Sequence, residues 1–205
     1  MYKHFLKRFI DFILTFIGLF ILSPFFICIS IFLFIANKGK PFFLQERPGK
    51  DEKIFNIIKF KTMNDRKDAA GNLLPDKERL TSIGRFIRKT SLDEIPQLLN
   101  VIKGDMSLIG PRPLLANYLP YYSEREKLRH TVRPGITGLA QISGRNNANW
   151  NVRLELDVQY VETLSFANDF RIFFLSIYKV LKKEGVVVDK TENYLDIERK
   201  KSETT

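Results

Sequence analysis

From Phe12 to Ala36 the chain carries no charged residue, and almost every position is apolar. That run exceeds the roughly 20 residues a helix needs to span a bilayer. It is too long for the apolar part of a cleaved signal, and no small-residue cleavage site follows it, so it reads as a permanent anchor. Ser23-Pro24 sits near its middle. Proline has no backbone donor and clashes with the carbonyl four residues back, so a kink is expected there. Both flanks are basic, with Lys3, Lys7 and Arg8 before the run and Lys38, Lys40, Arg47, Lys50 and Lys53 after it. Basic flanks favour the cytoplasmic side, which draws both ends to one face. Two geometries fit: a bent helix that enters and returns, and a kinked helix that crosses with the larger basic cluster inside.

Beyond the anchor the patterns are shorter. Residues 37–53 read as a basic connection with Pro41, Pro48 and Gly49. Ile54 to Met63 reads as a short strand or buried turn, with Lys59 and Lys61 between apolar residues. Residues 64–78 read as a surface loop around Gly71-Asn72 and Pro75. Helices are expected over 79–89 and from Ser91 to Lys103, the second closed by Gly104. A loop follows over 105–113, where prolines flank Arg112, and then a helical stretch over 114–130. Arg133 to Gly138 is turn-rich, Leu139 to Ser143 reads as a strand, and 152–164 as a helix. Phe166, Phe170, Phe173, Phe174, Ile177 and Leu181 recur at helical spacing, on a face that is either core or membrane interface. The tail after Asp189 is charged and reads as frayed. The pattern divides the chain into an anchor over 1–36, one domain over 37–188 and a tail over 189–205.

Charge narrows the partners. Lys and Arg outnumber Asp and Glu by 33 to 23, a formal net charge of +10 among 205 residues, which suits an anionic partner. Nucleic acid, anionic lipid and phosphorylated substrates all qualify. Nucleic acid is not expected, because no binding motif and no regular interleaving of aromatic and basic residues occurs. The single cysteine, Cys28, lies within the apolar run, so no internal disulfide and no zinc spacing exists. Phosphate loops, dinucleotide fingerprints and nucleophile elbows are also missing from the sequence.

Two groups of residues remain for chemistry. Ser91-Leu-Asp-Glu-Ile-Pro96 places two acids where a helix should begin. Ser91 with Glu94 matches a capping box, and Asp93 alone would serve as an N-cap. The same carboxylates suit a nucleophile or a Mg²⁺ ligand beside phosphate. The second group is cationic: Lys59, Arg85, Arg88, Arg112, Arg133 and Arg145. Arg112 in Gly-Pro-Arg-Pro and Arg145 in Ser-Gly-Arg-Asn sit on stiff or tight loops, and a guanidinium held that way suits bidentate phosphate binding. Glu155, Asp157 and Glu162 share a helix and read as solvated or paired with nearby arginines.

Several segments together resemble the bacterial sugar transferase family, the monotopic phosphoglycosyl transferases. They are Gln45 to Gly49, Lys59 to Met63, Gly84 to Asn100, Lys103 to Pro113 and Arg133 to Gln141. The resemblance covers nearly the whole chain, and its small size is similar to that of the initiating transferases of protein N-glycosylation. Larger relatives carry further N-terminal membrane segments, and none precedes the anchor in this sequence.

The resemblance implies a mixed fold, mostly α with short β segments, on a re-entrant membrane helix kinked at Ser23 and Pro24. It further implies one cytosolic catalytic domain with interfacial amphipathic helices, on the cytoplasmic face of the bacterial inner membrane. It implies an Asp93–Glu94 dyad that is catalytic and holds Mg²⁺, with substrate contacts from Lys59, Arg88, Arg112, Arg145 and Asp157. The implied reaction moves a sugar-1-phosphate from a UDP-sugar to polyprenyl (undecaprenyl) phosphate through a phosphosugar-aspartate, in ping-pong order. Partners would be the UDP-sugar, polyprenyl phosphate, membrane lipids and downstream glycosyltransferases. Small size points to N,N′-diacetylbacillosamine as the sugar. The alternatives are a hexose-1-phosphate for polysaccharide synthesis and a non-catalytic module that binds anionic lipid.

Overall fold

The computed structural model describes residues 2–144, 149–182 and 194–203. A single 30-residue helix, α1 (Lys7–Ala36), carries the apolar run, after one wider helical turn over Tyr2–Leu6. It is long and apolar enough to cross a membrane. It continues through Pro24, and the local chemistry explains how. Proline removes the donor that the Phe20 carbonyl would otherwise receive. The Ser23 hydroxyl donates to that same carbonyl at 2.7 Å. The Ser-Pro pair therefore supplies its own replacement bond in apolar surroundings, where an orphan carbonyl is costly.

Both ends of α1 rest on the same folded body. At the start, Lys7 donates to Asp169 at 2.7 Å, and Asp11 accepts from the Ser107 hydroxyl at 2.7 Å. Arg8 donates to the carbonyls of Val101 and Ile102. Near the other end, Leu33 is buried with Phe60, Ile87 and Ile95, and Phe26 and Ile29 pack beside them. Between these attachments the helix is bare, with Phe20 77%, Ile21 64% and Phe25 62% exposed.

The basic connection folds into a strand. β1 (Phe42–Pro48) pairs antiparallel with β2 (Ile54–Phe60), from Phe42 opposite Phe60 to Pro48 opposite Ile54. Sequence reading missed β1 because its prolines suggested loop, yet Pro48 stands at the strand's end, where a missing donor costs least. Two short helices follow, α2 (Asp76–Arg79) and α3 (Ser82–Lys89). Thr81 caps α3 by accepting from the Gly84 amide at 2.9 Å. A Cβ on Gly84 would lie 2.0 Å from the Thr62 carbonyl oxygen, so only glycine lets α3 lie this close to the strand end.

The helix expected from Ser91 is split. A 3₁₀ turn covers Leu92–Glu94, and α4 (Gln97–Lys103) starts after Pro96 and ends at Gly104. Ser91 adopts a left-handed backbone, φ 55°, and its side chain caps nothing, so the capping-box expectation fails. Fully buried Asn100 on α4 fastens the helix to β2, accepting from the Ile58 amide at 3.0 Å and donating to the Asn56 carbonyl at 2.8 Å.

β3 (Ser107–Ile109) pairs parallel with β4 (Gly135–Thr137). This joins the Gly-Pro-Arg-Pro loop to the turn-rich segment. A Cβ on Gly138 would lie 2.1 Å from the Gly110 carbonyl oxygen, so the contact between the two segments requires glycine. Between them, 114–130 is not one helix: 3₁₀ turns over Ala116–Tyr121 and Leu128–Thr131 flank α5 (Glu124–Lys127). Pro120 prevents a continuous hydrogen-bond ladder there. The strand expected over 139–143 is instead a helical turn, α6 (Leu139–Ile142). Short apolar runs do not distinguish the two by pattern.

Two longer helices match expectation: α7 (Trp150–Glu162) and α8 (Phe166–Lys182). On α8, Ile172 is fully buried, while Phe166, Phe170 and Phe174 are each more than half exposed. The aromatic face therefore points outward, and Phe166 meets Tyr2 edge-on at 5.9 Å, next to the start of α1. The frayed-tail expectation is corrected by α9 (Leu195–Glu203). Its Leu195 is fully buried with Tyr118, Trp150 and Leu154, and Arg199 donates to Glu126 at 2.6 Å.

Candidate active site

Asp93 and Glu94 sit on the 3₁₀ turn between α3 and α4, against β2. The left-handed Ser91 turns the chain so that neither acid is spent on capping. Glu94 receives two cations. Lys59, from β2, donates to its Oε1 at 3.0 Å, and Arg112 donates to the same oxygen. Burial works against the Glu94 charge, but Arg112 and Lys59 outweigh it and hold the carboxyl down at about 2. Asp93 behaves oppositely. Burial and the charge of Glu94 push it up to about 6, against the pull of Lys59, Arg88 and Arg112. Adjacent carboxylates with separated pKa values mark different roles: Glu94 is a fixed charge, and Asp93 ionises within the working pH range.

Arg88, from α3, is steered by its Nε donation to the Thr62 hydroxyl at 2.9 Å. Lys59, Arg88, Arg112, Asp93 and Glu94 are thus brought together from four segments. Such a cluster can hold a phosphoryl group and stabilise the charge it develops. Of the other cationic candidates, Arg133 donates to the Gly104 carbonyl at 2.8 Å and so braces a turn, and Arg85 is exposed. Arg145 lies outside the described residues.

Of the two expectations for Asp157, solvated or paired with an arginine, the structure shows the second. Asp157 is 4% exposed, and its Oδ2 accepts from Arg129 Nε at 3.1 Å and from the second guanidinium nitrogen at 2.8 Å. Arg129 also donates to the Arg112 backbone carbonyl at 2.6 Å, so the buried pair fixes the loop that carries Arg112. A cleft lies on that side, lined by Arg112, Leu114, Ala140, Gln141, Arg153 and Asp157. Arg129 and Gln141 escaped sequence reading because one is 28 residues from its partner and the other sits in a short apolar run.

The donor chemistry at the dyad fits Mg²⁺. That ion takes one or two carboxylates together with substrate phosphates rather than a full protein cage. Among the described residues no cluster of three or more metal-ligating side chains occurs.

A family model for bacterial sugar transferases matches residues 2–183. The uncharacterized sugar transferase EpsL of Bacillus subtilis is 58% identical over 149 residues, covering 72% of this chain and 74% of that protein. The undecaprenyl-phosphate galactose phosphotransferase of Salmonella typhimurium is 37% identical over 201 residues, 89% of this chain and 42% of that protein. The UDP-glucose:undecaprenyl-phosphate glucose-1-phosphate transferase of Escherichia coli is 37% identical over 186 residues, 85% of this chain and 40% of that protein. The chain therefore spans well under half the length of these last two relatives. The family match across nearly its entire length carries the assignment: this chain belongs to the bacterial sugar transferase family.

Proposed function

We propose that the chain transfers a sugar-1-phosphate from a UDP-sugar to polyprenyl phosphate, in two steps through Asp93. The observation that carries this reading is the split between the two acids, with Glu94 clamped by Lys59 and Arg112 while Asp93 is raised to about 6. In the first step an ionised Asp93 oxygen attacks the phosphorus bonded to the sugar. The bond from that phosphorus to the oxygen bridging the two phosphates breaks, and UMP leaves with the electron pair. In the second step a polyprenyl phosphate oxygen attacks the same phosphorus, the acyl-phosphate bond breaks, and the Asp93 carboxylate is regenerated. The product is a polyprenyl diphosphate sugar.

Arg88 and Arg112 orient the phosphates and spread the charge that develops on the equatorial oxygens. Lys59 and Arg112 keep Glu94 ionised throughout. Mg²⁺ held by Asp93 and Glu94 would supply further charge neutralisation on the diphosphate.

The placement we propose is monotopic, on the cytoplasmic face, with α1 entering and leaving the same leaflet. Support comes from the two attachments of α1 to one folded body, through Lys7 and Asp11 at one end and Leu33 at the other. A straight 30-residue helix is about 45 Å long, more than a bilayer core, and crossing would carry one attachment away from the domain. The exposed phenylalanines of α8, beside Tyr2, supply a second apolar surface at the same level.

A hexose is the better-supported sugar. Two relatives are named for galactose and glucose, whereas the bacillosamine expectation rests on chain size alone. The reaction is tested by UMP release from a panel of UDP-sugars with polyprenyl phosphate and Mg²⁺, comparing the natural chain with Asp93→Asn. Turnover by the natural chain alone supports the reading, and the best donor names the sugar. Equal release by both proteins would remove Asp93 from the chemistry.

A further inference from the structure

The C-terminal helix α9 lies beyond residue 183, where the family match ends, yet it closes a core of the folded domain. Leu195 is fully buried in a cluster with Leu114, Tyr118, Tyr122, Trp150 and Leu154. Arg199, one helical turn further on, reaches two elements through one nitrogen. It donates to Glu126 Oε1 at 2.6 Å and to Asn151 Oδ1 at 2.8 Å. Glu126 is itself fixed, because its other oxygen accepts from the Ser123 amide in the capping box that starts α5. Lys200 lies 5.6 Å from the Tyr121 ring centroid. Thus α9 ties the turn over Ala116–Tyr121, α5 and the start of α7 to one another.

We propose that α9 is a positioning element for Arg112, with Leu195 and Arg199 as its positioning residues. The proposal rests on the transferase reading above, in which Arg112 orients the transferring phosphate. Two routes lead from α9 to that side chain. Leu114, clustered with Leu195, follows Arg112 by two residues, and the intervening Pro113 stiffens the link. Tyr122, in the same cluster, accepts through its hydroxyl from Arg129 Nη1 at 3.3 Å, and Arg129 Nη2 donates to the Arg112 backbone carbonyl at 2.6 Å. Arg129 is held in turn by Asp157 on α7, the helix that brings Trp150 and Leu154 into the cluster. Protein interiors are close-packed and relax only partly when a side chain is cut back, so a loss at Leu195 is passed to its neighbours. A displacement of about 1 Å at a substrate-positioning group costs about 100-fold in rate. Lys59 is fastened separately, because Asn100 on α4 bonds to the Ile58 amide and the Asn56 carbonyl of its strand. Loosening α9 therefore reaches Arg112 and leaves Lys59 in place.

Leu195→Ala, Leu195→Met and Arg199→Ala are compared with the natural chain, all at full length in detergent. The first readout is amide hydrogen exchange, which needs no turnover. In both alanine variants the amides of 108–115 should exchange about tenfold faster or more, while those of 54–60 keep their natural rates. The unchanged strand also shows that the variants are folded. Leu195→Met conserves volume and should match the natural chain. The second readout is UMP release from a UDP-sugar across pH. The rate in the alanine variants should fall by about tenfold or more, with Leu195→Met restoring it. The acidic limb should move to higher pH, because a displaced Arg112 no longer pulls the Asp93 pKa down. If Leu195→Ala also loosens 54–60, Arg199→Ala decides alone. Faster exchange confined to 116–128 and 150–154, with the rate and pH profile unchanged, would overturn the proposal and leave α9 a brace for its own docking site. Unchanged exchange throughout would overturn it as well. Failure of the transferase reading looks different: the natural chain would release no UMP from any donor, while exchange at 108–115 would still report on the Arg112 loop.

Discussion

Lys59 Nζ lies 3.0 Å from Glu94 Oε1, and through that contact β2 fixes the charge of the acid beside the candidate nucleophile. Glu94 stays ionised down to about pH 2, so the one acid that titrates near neutrality is Asp93, at about 6. UMP release should therefore rise with pH through a single midpoint near 6, because the attacking form is the deprotonated one. Below the midpoint the rate should fall tenfold per pH unit. A rapid-quench pH series of UMP release checks this, and a flat profile between pH 5 and 8 would contradict it.

Asp93→Asn should lose turnover and gain stability together. Burial and the Glu94 charge raise the Asp93 pKa, so the folded state holds that proton more tightly than the unfolded chain does. The stability gained from this is present below about pH 4 and is lost as pH rises through about 6. Above that, the natural chain carries an unfavourable charge that asparagine lacks. The variant should be more stable at pH 8 by about 1–3 kcal/mol, and the gap should close toward pH 4. Thermal unfolding at the two pH values measures it.

Removing either cation from Glu94 tests the clamp. Arg112→Lys should cost roughly 100-fold or more in turnover, since an ammonium does not reproduce the shared contacts of the fork. Lys59→Met should lift the Glu94 pKa and, by removing a cation that pulls the Asp93 pKa down, move the acidic limb of the rate profile to higher pH. A profile identical to that of the natural chain would remove Lys59 from the electrostatics.

The Ser23–Pro24 pair predicts non-additivity. Ser23→Ala leaves the Phe20 carbonyl without a donor and should cost about 1–2 kcal/mol. In a Pro24→Ala background the backbone amide returns, and the same Ser23 change should cost little. Denaturant unfolding in detergent closes this cycle, and equal costs in both backgrounds would mean the hydroxyl is not replacing the lost donor.

These particulars also mark what the sequence made legible. The anchor was visible because 25 uncharged residues in a row have few other uses. The acids at 93 and 94 were visible as a pair, but the local pattern fitted capping as well as chemistry, and only the resemblance made them a dyad. Their partners, Lys59 and Arg112, lie 35 and 18 residues away, beyond the reach of helical spacing. The Arg129–Asp157 pair was hidden for the same reason, and the charged character of 189–205 concealed Leu195, whose burial docks α9. Periodicity located α7 and α8, which are long enough to repeat. It failed at 139–143, where four or five residues carry no decisive period.

The most direct test of the central claim omits the acceptor lipid. The chain is mixed with a turnover-competent UDP-sugar and Mg²⁺ but no polyprenyl phosphate, quenched, and analysed for UMP and for peptide mass. The predicted result is a burst of UMP approaching one per enzyme, with a sugar-phosphate added to the peptide that contains Asp93. No UMP before lipid is added would contradict a covalent aspartate intermediate and leave direct transfer between the two substrates.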